Sequence, residues 1–326
     1  MSKLVWPLTG LLILAMTQSL NAAQRLGPPI EDLQSEPGRT RIVIAVASEK
    51  TKSPRILFSI SERLSGEAPD EVLLRTDEET FVDVEVGRSY VVAWSYMRRN
   101  RRIVGGWEND PAGPFTVQLM GLGSSAVFDD TPEIRFLFAP GTFDQSGNSG
   151  QQIDALLTQL QREDFRSRGL VIAELYLRPD LTEAMNPAQV EALKTVLQKQ
   201  VLDPQHRDFL LRSTLRLPQE LTSPWLAEEL RKIIIKHGTQ YDLRSFVPAL
   251  VRTAARGLSQ VGGRADIDLL SILLYANNPG VAIAALDTMD HIDTGATTVK
   301  AEQALERGWV HGETRQSIVR YLGKRK

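Results

Sequence analysis

The chain has 326 residues, of which 42% are apolar and 24% charged, so its composition is that of a globular protein rather than a disordered one. Its formal net charge of −2 argues against a protein that binds nucleic acid over a large surface. It contains no cysteine, which excludes disulfides, thiolate metal sites, iron–sulfur clusters, cysteine nucleophiles and a lipid anchor on cysteine.

The first 23 residues have the layout of a secretory signal peptide. Lys3 precedes an apolar run from Leu4 to Met16, and the small residues Ala22 and Ala23 end the segment. The run is shorter than the ~20 residues that a transmembrane helix needs. We therefore predict cleavage after Ala23 or Ala22 and a periplasmic or secreted protein. Residues 24–39, which are rich in proline, glycine and polar side chains, are predicted to form a flexible leader.

Residues 40–140 are predicted to form an antiparallel β-sandwich or barrel. Short runs with a period of two are bounded by Gly, Pro and Asp, as in all-β domains. The runs are Arg41–Val46, Arg55–Ile60, Thr80–Val86, Tyr90–Trp94, Arg102–Val104, Phe115–Leu119 and Glu133–Phe138. Roughly seven to nine strands are expected on this pattern.

The segment Val86–Val92 resembles the turn and strand of netrin-like, metalloproteinase-inhibitor-type barrels. In these seven residues Gly87 and Arg88 form a turn that leads through Tyr90 into an apolar strand. The resemblance implies a barrel of that type. Those domains usually carry disulfides, which this chain lacks, and a generic hairpin is the alternative interpretation.

After a linker at residues 141–150, residues 151–326 have the apolar period of α-helices. Three apolar stripes are Val190, Leu193, Leu197 and Val201; Leu226, Leu230, Ile233 and Ile234; and Phe246, Leu250, Ala254 and Leu258. Four pairs place a capping side chain before a proline at the first helical position: Asn186-Pro187, Asp203-Pro204, Ser223-Pro224 and Asn278-Pro279.

The helix starts recur at a nearly constant interval. Starts at Asp164, Asp203, Asp242, Asn278 and His311 are separated by 39, 39, 36 and 33 residues. This interval, and the small-residue helix that follows Asn278, resemble HEAT or armadillo-like helix pairs. The resemblance implies an α-solenoid of about four and a half pairs with an extended concave surface. An irregular helical bundle is the alternative.

The densest positive charge lies at Arg98, Arg99, Arg101 and Arg102. Their guanidinium groups could bind the phosphates or carboxylates of an envelope polymer or an anionic surface. The alternative is a solvated hairpin tip between strands that end near Tyr96 and begin near Ile103.

Trp107, Glu108 and Asp110 are the most site-like group in the β domain. An aromatic side chain beside two carboxylates could hold a sugar ring, although a surface turn is the alternative.

The sequence contains no nucleophile motif and no pair of histidines at zinc-ligand spacing, so we assign no catalytic, cofactor-binding or metal residue. His237 is predicted to end a helix, where an imidazolium suits the helix dipole. Trp225 and Trp309 are predicted to pack among helices.

These patterns predict an exported, two-domain protein with a non-enzymatic protein-binding or scaffolding role in the periplasm or cell envelope. The expected partner is another envelope or periplasmic protein. No cofactor, nucleic acid or membrane-spanning segment after signal cleavage is expected. The alternative function is a carbohydrate-binding protein or hydrolase that acts on an envelope polymer through the loop at Trp107.

Overall fold

The structure is a computed structural model that describes residues 29–34, 38–51, 54–99, 107–109, 113–118, 125–143, 149–162, 165–199 and 202–324. The predicted signal peptide lies outside these ranges. The chain divides into two compact units, Met1–Asn148 with Asp164–Leu170, and Ser149–Glu163 with Val171–Lys326. No helix within the described ranges combines the length and hydrophobicity that crossing a bilayer requires.

The first unit contains a five-stranded mixed β-barrel. The strands are β1 (Arg41–Lys50), β2 (Arg55–Ser65), β3 (Glu71–Arg75), β4 (Ser89–Ser95), β5 (Met97–Arg99), β6 (Trp107–Asn109), β7 (Phe115–Thr116) and β8 (Val127–Asp129). The order β1-β2-β3-β7-β4 returns to β1, which closes the ring, and β8 adds to β4. Strands β5 and β6 form a separate hairpin. The accompanying helices are α1 (Pro29–Gln34), α2 (Glu78–Asp83) and α3 (Pro132–Phe138).

Strand β1 closes the barrel because it has partners on both edges. It pairs with β4 on one edge and with β2 on the other. The register with β2 shifts at three points, and such bulges bend a strand and increase its twist. The interior is filled by buried side chains that include Val43, Phe58, Leu74 and Trp94. Full burial of each large apolar side chain contributes about 1.5–3 kcal/mol.

One barrel pairing corrects the prediction of a purely antiparallel sheet. Strand β3 runs parallel to β7, with Arg75 opposite Phe115. The other pairs that close the ring are antiparallel. Parallel neighbours need a long connection, which here passes through α2 and β4. Alternation within a strand does not report the direction of its neighbour, so the sequence pattern could not show this.

The predicted strand Thr80–Val86 is also wrong, because helix α2 occupies most of it. The carboxylate of Asp77 accepts a hydrogen bond from the Thr80 amide at 2.7 Å and caps the helix. Glu78 and Glu79 add negative charge to the first turn, where the helix dipole favours it. These end effects outweigh the alternation of apolar residues.

The predicted strand Glu133–Phe138 is helix α3 for a similar reason. Thr131 caps it, and Pro132 stands at its first position. The buried side chains are Ile134, Leu137 and Phe138, which have the spacing of a helical stripe. The same six residues fit both periods, and the cap decides between them.

The predicted flexible leader, residues 24–39, is wrong for the part that forms α1. Ile30 and Leu33 of this helix are buried. The Gln34 Nε2 atom donates to the Phe138 carbonyl at 3.1 Å, which ties α1 to the end of α3. Acidic residues in the first turn favour this short helix.

The predicted helical C-terminal region is confirmed. The described chain from residue 149 contains eleven α-helices: α4 (Ser149–Gln161), α5 (Phe165–Leu177), α6 (Pro179–Glu183), α7 (Pro187–Gln198), α8 (Pro204–Thr214), α9 (Gln219–His237), α10 (Val247–Val261), α11 (Ile267–Ile272), α12 (Pro279–Ile292), α13 (Thr294–Arg307) and α14 (Gly312–Gly323). Apolar side chains from α8 to α14 form one core, which includes Leu230, Leu250, Ala254 and Met289.

Several predicted helix starts are confirmed by their caps. Asn186, Asp203 and Asn278 each accept a hydrogen bond from a backbone amide in the first turn, and proline follows each of them. His311 caps α14 in the same manner. Asp164 lies outside the described residues.

Two predicted starts are wrong. Ser223-Pro224 lies inside α9, which begins at Gln219. Helix α10 begins at Val247 rather than near Asp242, because Asp242 closes a turn by accepting a hydrogen bond from the Arg244 amide at 2.9 Å. An aspartate that bonds two residues ahead serves a turn as well as a helix start. Asp242 therefore no longer marks a helix start in the series from which the nearly constant repeat interval was derived.

One ion pair is buried between helices of the second unit. Arg207 on α8 donates to the Glu229 carboxylate on α9 at 2.5 Å and to the Leu197 carbonyl at 2.7 Å. The two charged residues are only 7% and 4% exposed. Buried charges are tolerated when they are paired in this manner. Removing one partner leaves the other charge buried without compensation.

Candidate functional site

The first predicted site group falls at the hairpin of β5 and β6. Trp107 and Glu108 belong to β6, where Glu108 pairs through its backbone with Arg98. Asp110 lies outside the described residues. The structure therefore places two of the three residues at adjacent positions of one strand.

The predicted basic cluster begins on β5 rather than at a hairpin tip. Arg98 and Arg99 are strand residues, whereas Arg101 and Arg102 lie outside the described ranges. The guanidinium of Arg98 lies over the ring of Phe115, 5.7 Å from its centroid. This cation–π contact fixes Arg98 against the first residue of β7.

The structure also places His237 and Trp309, for which the sequence predicts a helix end and packing among helices. Among the described residues, no three His, Asp or Glu side chains are grouped so that they could hold a metal ion. His237 ends α9 as predicted, but burial, Lys236 and Arg207 lower its pKa. The neutral imidazole is favoured there, in contrast to the predicted imidazolium. Trp309 follows α13 and is 88% exposed, so its predicted packing among helices is wrong.

A basic and apolar groove lies on the helical unit, and we call it the arginine groove. Its volume is about 280 Å³. It is lined by Leu243, Arg244, Ser245, Phe246, Pro248, Ala249, Arg252 and Asn278. The lining residues come from the loop between α9 and α10, the first turns of α10, and the cap of α12. Seven of these residues therefore belong to the single stretch 243–252, and Asn278 adds a second, distant segment.

Hydrogen bonds hold the loop of the groove in place. The Tyr241 amide donates to the Asn277 side chain at 3.1 Å, and the Asn277 amide nitrogen Nδ2 donates back to the Tyr241 carbonyl at 2.9 Å. The Asn277 backbone amide donates to the Thr239 carbonyl at 3.0 Å. The segment before α12 therefore fixes the loop that carries Arg244 and Phe246.

Tyr241 attaches this loop to the helical core. Its ring is buried in the helical core, and its hydroxyl donates to the Gly238 carbonyl at 2.5 Å. Burial raises the pKa of Tyr241 to about 12, so the hydroxyl stays protonated and available as a donor at neutral pH.

The apolar part of the groove faces solvent. Leu243 is 61% exposed and Phe246 is 47% exposed. Phe246 was predicted to lie on a buried stripe with Leu250 and Ala254, which are indeed buried. That prediction is wrong for Phe246, which is the N-cap that precedes α10 and not a residue of its buried stripe.

The charged part of the groove consists of Arg244 and Arg252. Within the described part of the chain, neither guanidinium contacts a carboxylate or carbonyl oxygen. The nearest acid along the loop, Asp242, directs an oxygen to the backbone amide of Arg244. The groove thus offers two cationic donors and two exposed apolar side chains.

Gly238 gives a test of how the loop is held. Its φ of +59° and ψ of −137° lie in a region that is open almost only to glycine. Gly238→Ala is expected to lower the free energy of unfolding of the helical unit by about 1–3 kcal/mol. Urea denaturation followed by circular dichroism measures this. Gly312→Ala is the matched control, because an added Cβ there meets open space in a helix.

Comparisons with known proteins give no family for this chain. No family model matches it, and none of the curated proteins is significantly similar to it in sequence.

Proposed function

We propose that this chain is an exported, non-enzymatic protein-binding or scaffolding protein of the periplasm or cell envelope, and that the helical unit carries its binding surface. The observation that carries the proposal is the arginine groove, in which exposed Leu243 and Phe246 adjoin two arginines without acidic partners. Arginine and aromatic side chains are enriched at protein interfaces. The pattern of Lys3, an apolar run and Ala22-Ala23 supports export.

We also propose that the helices form a HEAT-like solenoid. The confirmed caps at Asp203, Asn278 and His311 retain part of the repeat interval, and neighbouring helices share their apolar faces in one core. Such stacked pairs provide extended surfaces for partner proteins.

For the barrel, we propose the netrin-like, metalloproteinase-inhibitor type that the segment Val86–Val92 resembles. The closed order β1-β2-β3-β7-β4 with a helix between β3 and β4 supports this. So does the tight turn at Gly87, whose φ is +90°, because it leads directly into β4 and Tyr90.

The binding role is tested by placing a photo-crosslinking amino acid at Phe246 in the full chain and irradiating cells that express it. We expect a discrete adduct that is lost when Arg244→Glu is added. The same amino acid at Glu302, an exposed residue of α13, is the control and is expected to give no such adduct. Equal adducts at both positions, or none at Phe246, contradict a binding surface at the groove.

Export and the alternative enzymatic function need separate measurements. N-terminal sequencing of the protein from a periplasmic fraction is expected to begin near Gln24, and an intact Met1 contradicts export. Hydrolysis of cell-wall fragments that is abolished by Glu108→Ala and Asp110→Ala, with folding intact, contradicts the non-enzymatic role.

A further inference from the structure

The two arginines of the groove differ from five other arginines of the helical unit. A carboxylate pairs with each of Arg178, Arg207, Arg212, Arg231 and Arg264. Arg244 and Arg252 have no such partner among the described residues, although both line one cavity. Two arginines that line one groove and have no carboxylate partner are complementary to a carboxylate or another oxyanion.

The ends of two helices add positive potential to the same place. Helix α10 begins at Val247 and helix α12 at Pro279, and both starts border the groove through Phe246 and Asn278. The N-terminus of a helix carries about half a unit of positive charge. This reinforces the preference for an anionic group that the arginines establish.

The apolar lining selects among anionic ligands. Leu243 and Phe246 are large and solvent-exposed, and Pro248 and Ala249 lie beside them. A polyanion such as nucleic acid is bound through many cationic contacts along its backbone, whereas this groove has two. A ligand in which an acidic group adjoins an apolar side chain is complementary to both the arginines and the apolar residues of the lining.

The size of the groove limits how much of a partner enters it. Its volume of about 280 Å³ lies slightly below the ~300–1,000 Å³ of typical small-molecule sites. A few side chains of a peptide segment fit such a space, and a folded domain contacts only its rim.

We propose that the arginine groove binds a short peptide segment of a partner protein in which an Asp or Glu side chain lies beside a large apolar side chain. The carboxylate pairs with Arg244 and Arg252, and the apolar side chain packs on Leu243 and Phe246. This proposal rests on the binding role proposed above and specifies the chemistry of the ligand.

The test uses the immobilised full chain and a phage-displayed library of random peptides as the probe. We expect enrichment of peptides with an acidic residue next to an apolar one. Arg244→Glu with Arg252→Glu is expected to abolish that enrichment. Arg315→Glu with Arg320→Glu, which makes the same charge change at exposed positions of α14, is the matched control and is expected to retain it.

A synthetic copy of an enriched peptide then gives the magnitude by fluorescence anisotropy. We expect binding to weaken about tenfold or more both for the groove variant and for the peptide with Glu→Gln or Asp→Asn, as the loss of a charge-assisted pair implies. Arg244→Gln with Arg252→Gln repeats the test without charge reversal, and circular dichroism verifies folding of each variant.

Three results overturn the proposal: no groove-dependent enrichment, enrichment of peptides without acidic residues, or displacement of the peptide by an oligothymidylate that binds through the same arginines. If enrichment fails while Phe246 still crosslinks a partner in cells, the ligand chemistry is wrong and the binding role stands. If both fail, the proposed function is wrong as well.

Discussion

Glu229→Ala is expected to destabilise the helical unit by about 3–5 kcal/mol, because it leaves the Arg207 guanidinium buried without its carboxylate. The measurement is urea denaturation followed by circular dichroism, combined with hydrogen exchange of peptides from α8 and α9. We expect faster exchange in both helices. The remaining bond from Arg207 to the Leu197 carbonyl does not compensate the charge.

The neighbouring Glu228 provides a matched control for this substitution. It is exposed on the same helix and pairs with Lys232 at 2.8 Å. Because solvent screens that pair, Glu228→Ala is expected to leave the denaturation midpoint nearly unchanged. Equal effects of the two substitutions contradict the assignment of Arg207 and Glu229 as a buried pair. The double variant Arg207→Met with Glu229→Leu is expected to recover most of the loss, since no charge is then stranded.

Asp77→Ala is expected to destabilise the barrel unit by about 2–4 kcal/mol, because it removes a helix cap and leaves buried hydroxyl groups without a hydrogen-bond acceptor. The Asp77 carboxylate accepts from the Thr80 amide and hydroxyl at 2.7 and 2.8 Å and from the Ser125 amide at 3.0 Å. The Ser125 hydroxyl also donates to it and accepts from Thr116 at 2.8 Å. One carboxylate therefore links α2, β7 and the residues before β8.

Hydrogen exchange of peptides from β4 and β7 reports this loss locally. Glu78→Ala, one residue along the chain and exposed, is the control and is expected to leave exchange in these strands unchanged. An unaltered exchange rate for Asp77→Ala contradicts the structural role of the network.

The same carboxylate makes the barrel sensitive to acid. Burial alone raises the pKa of Asp77, but hydrogen bonds from Ser125 and Thr80 outweigh it and lower the pKa below its ordinary value of 3.8. A carboxyl with a lowered pKa in the folded state contributes stability above its unfolded pKa, and this contribution is lost as the pH falls through the folded pKa. Asp77→Asn keeps the cap but removes the charge, so the stability difference from the unaltered chain is expected to shrink below about pH 4.

Much of the local structure follows from patterns that a single sequence contains. Strands β1, β2 and β4 lie in segments where apolar residues alternate with polar ones and β-branched residues are frequent, as the sequence predicts for strands. The helix starts at Asn186, Asp203 and Asn278 were readable because a capping side chain and a proline act within one turn.

The wrong predictions concern segments whose sequence contains signals for two different local structures. Thr80–Val86 and Glu133–Phe138 alternate like strands, yet caps at Asp77 and Thr131 make them helices. Asp242 looked like a helix start and instead closes a turn that exposes Phe246. Which signal prevails depends on the partners that the rest of the fold supplies, such as Asn277 for the loop at Tyr241.

By itself, the sequence determined the order of a β unit and a helical unit, the absence of cysteine chemistry and the helix starts at Asn186, Asp203, Asn278 and His311, because periodicity and caps act over a few residues. Only the tertiary structure decided the closed barrel with its parallel pair and the arginine groove. Arg244 and Arg252 lie in one stretch of the chain, and Asn278 belongs to a second stretch. The meeting of these two stretches on one surface depends on how α10 and α12 pack, and contacts between distant segments leave no periodic pattern in the sequence.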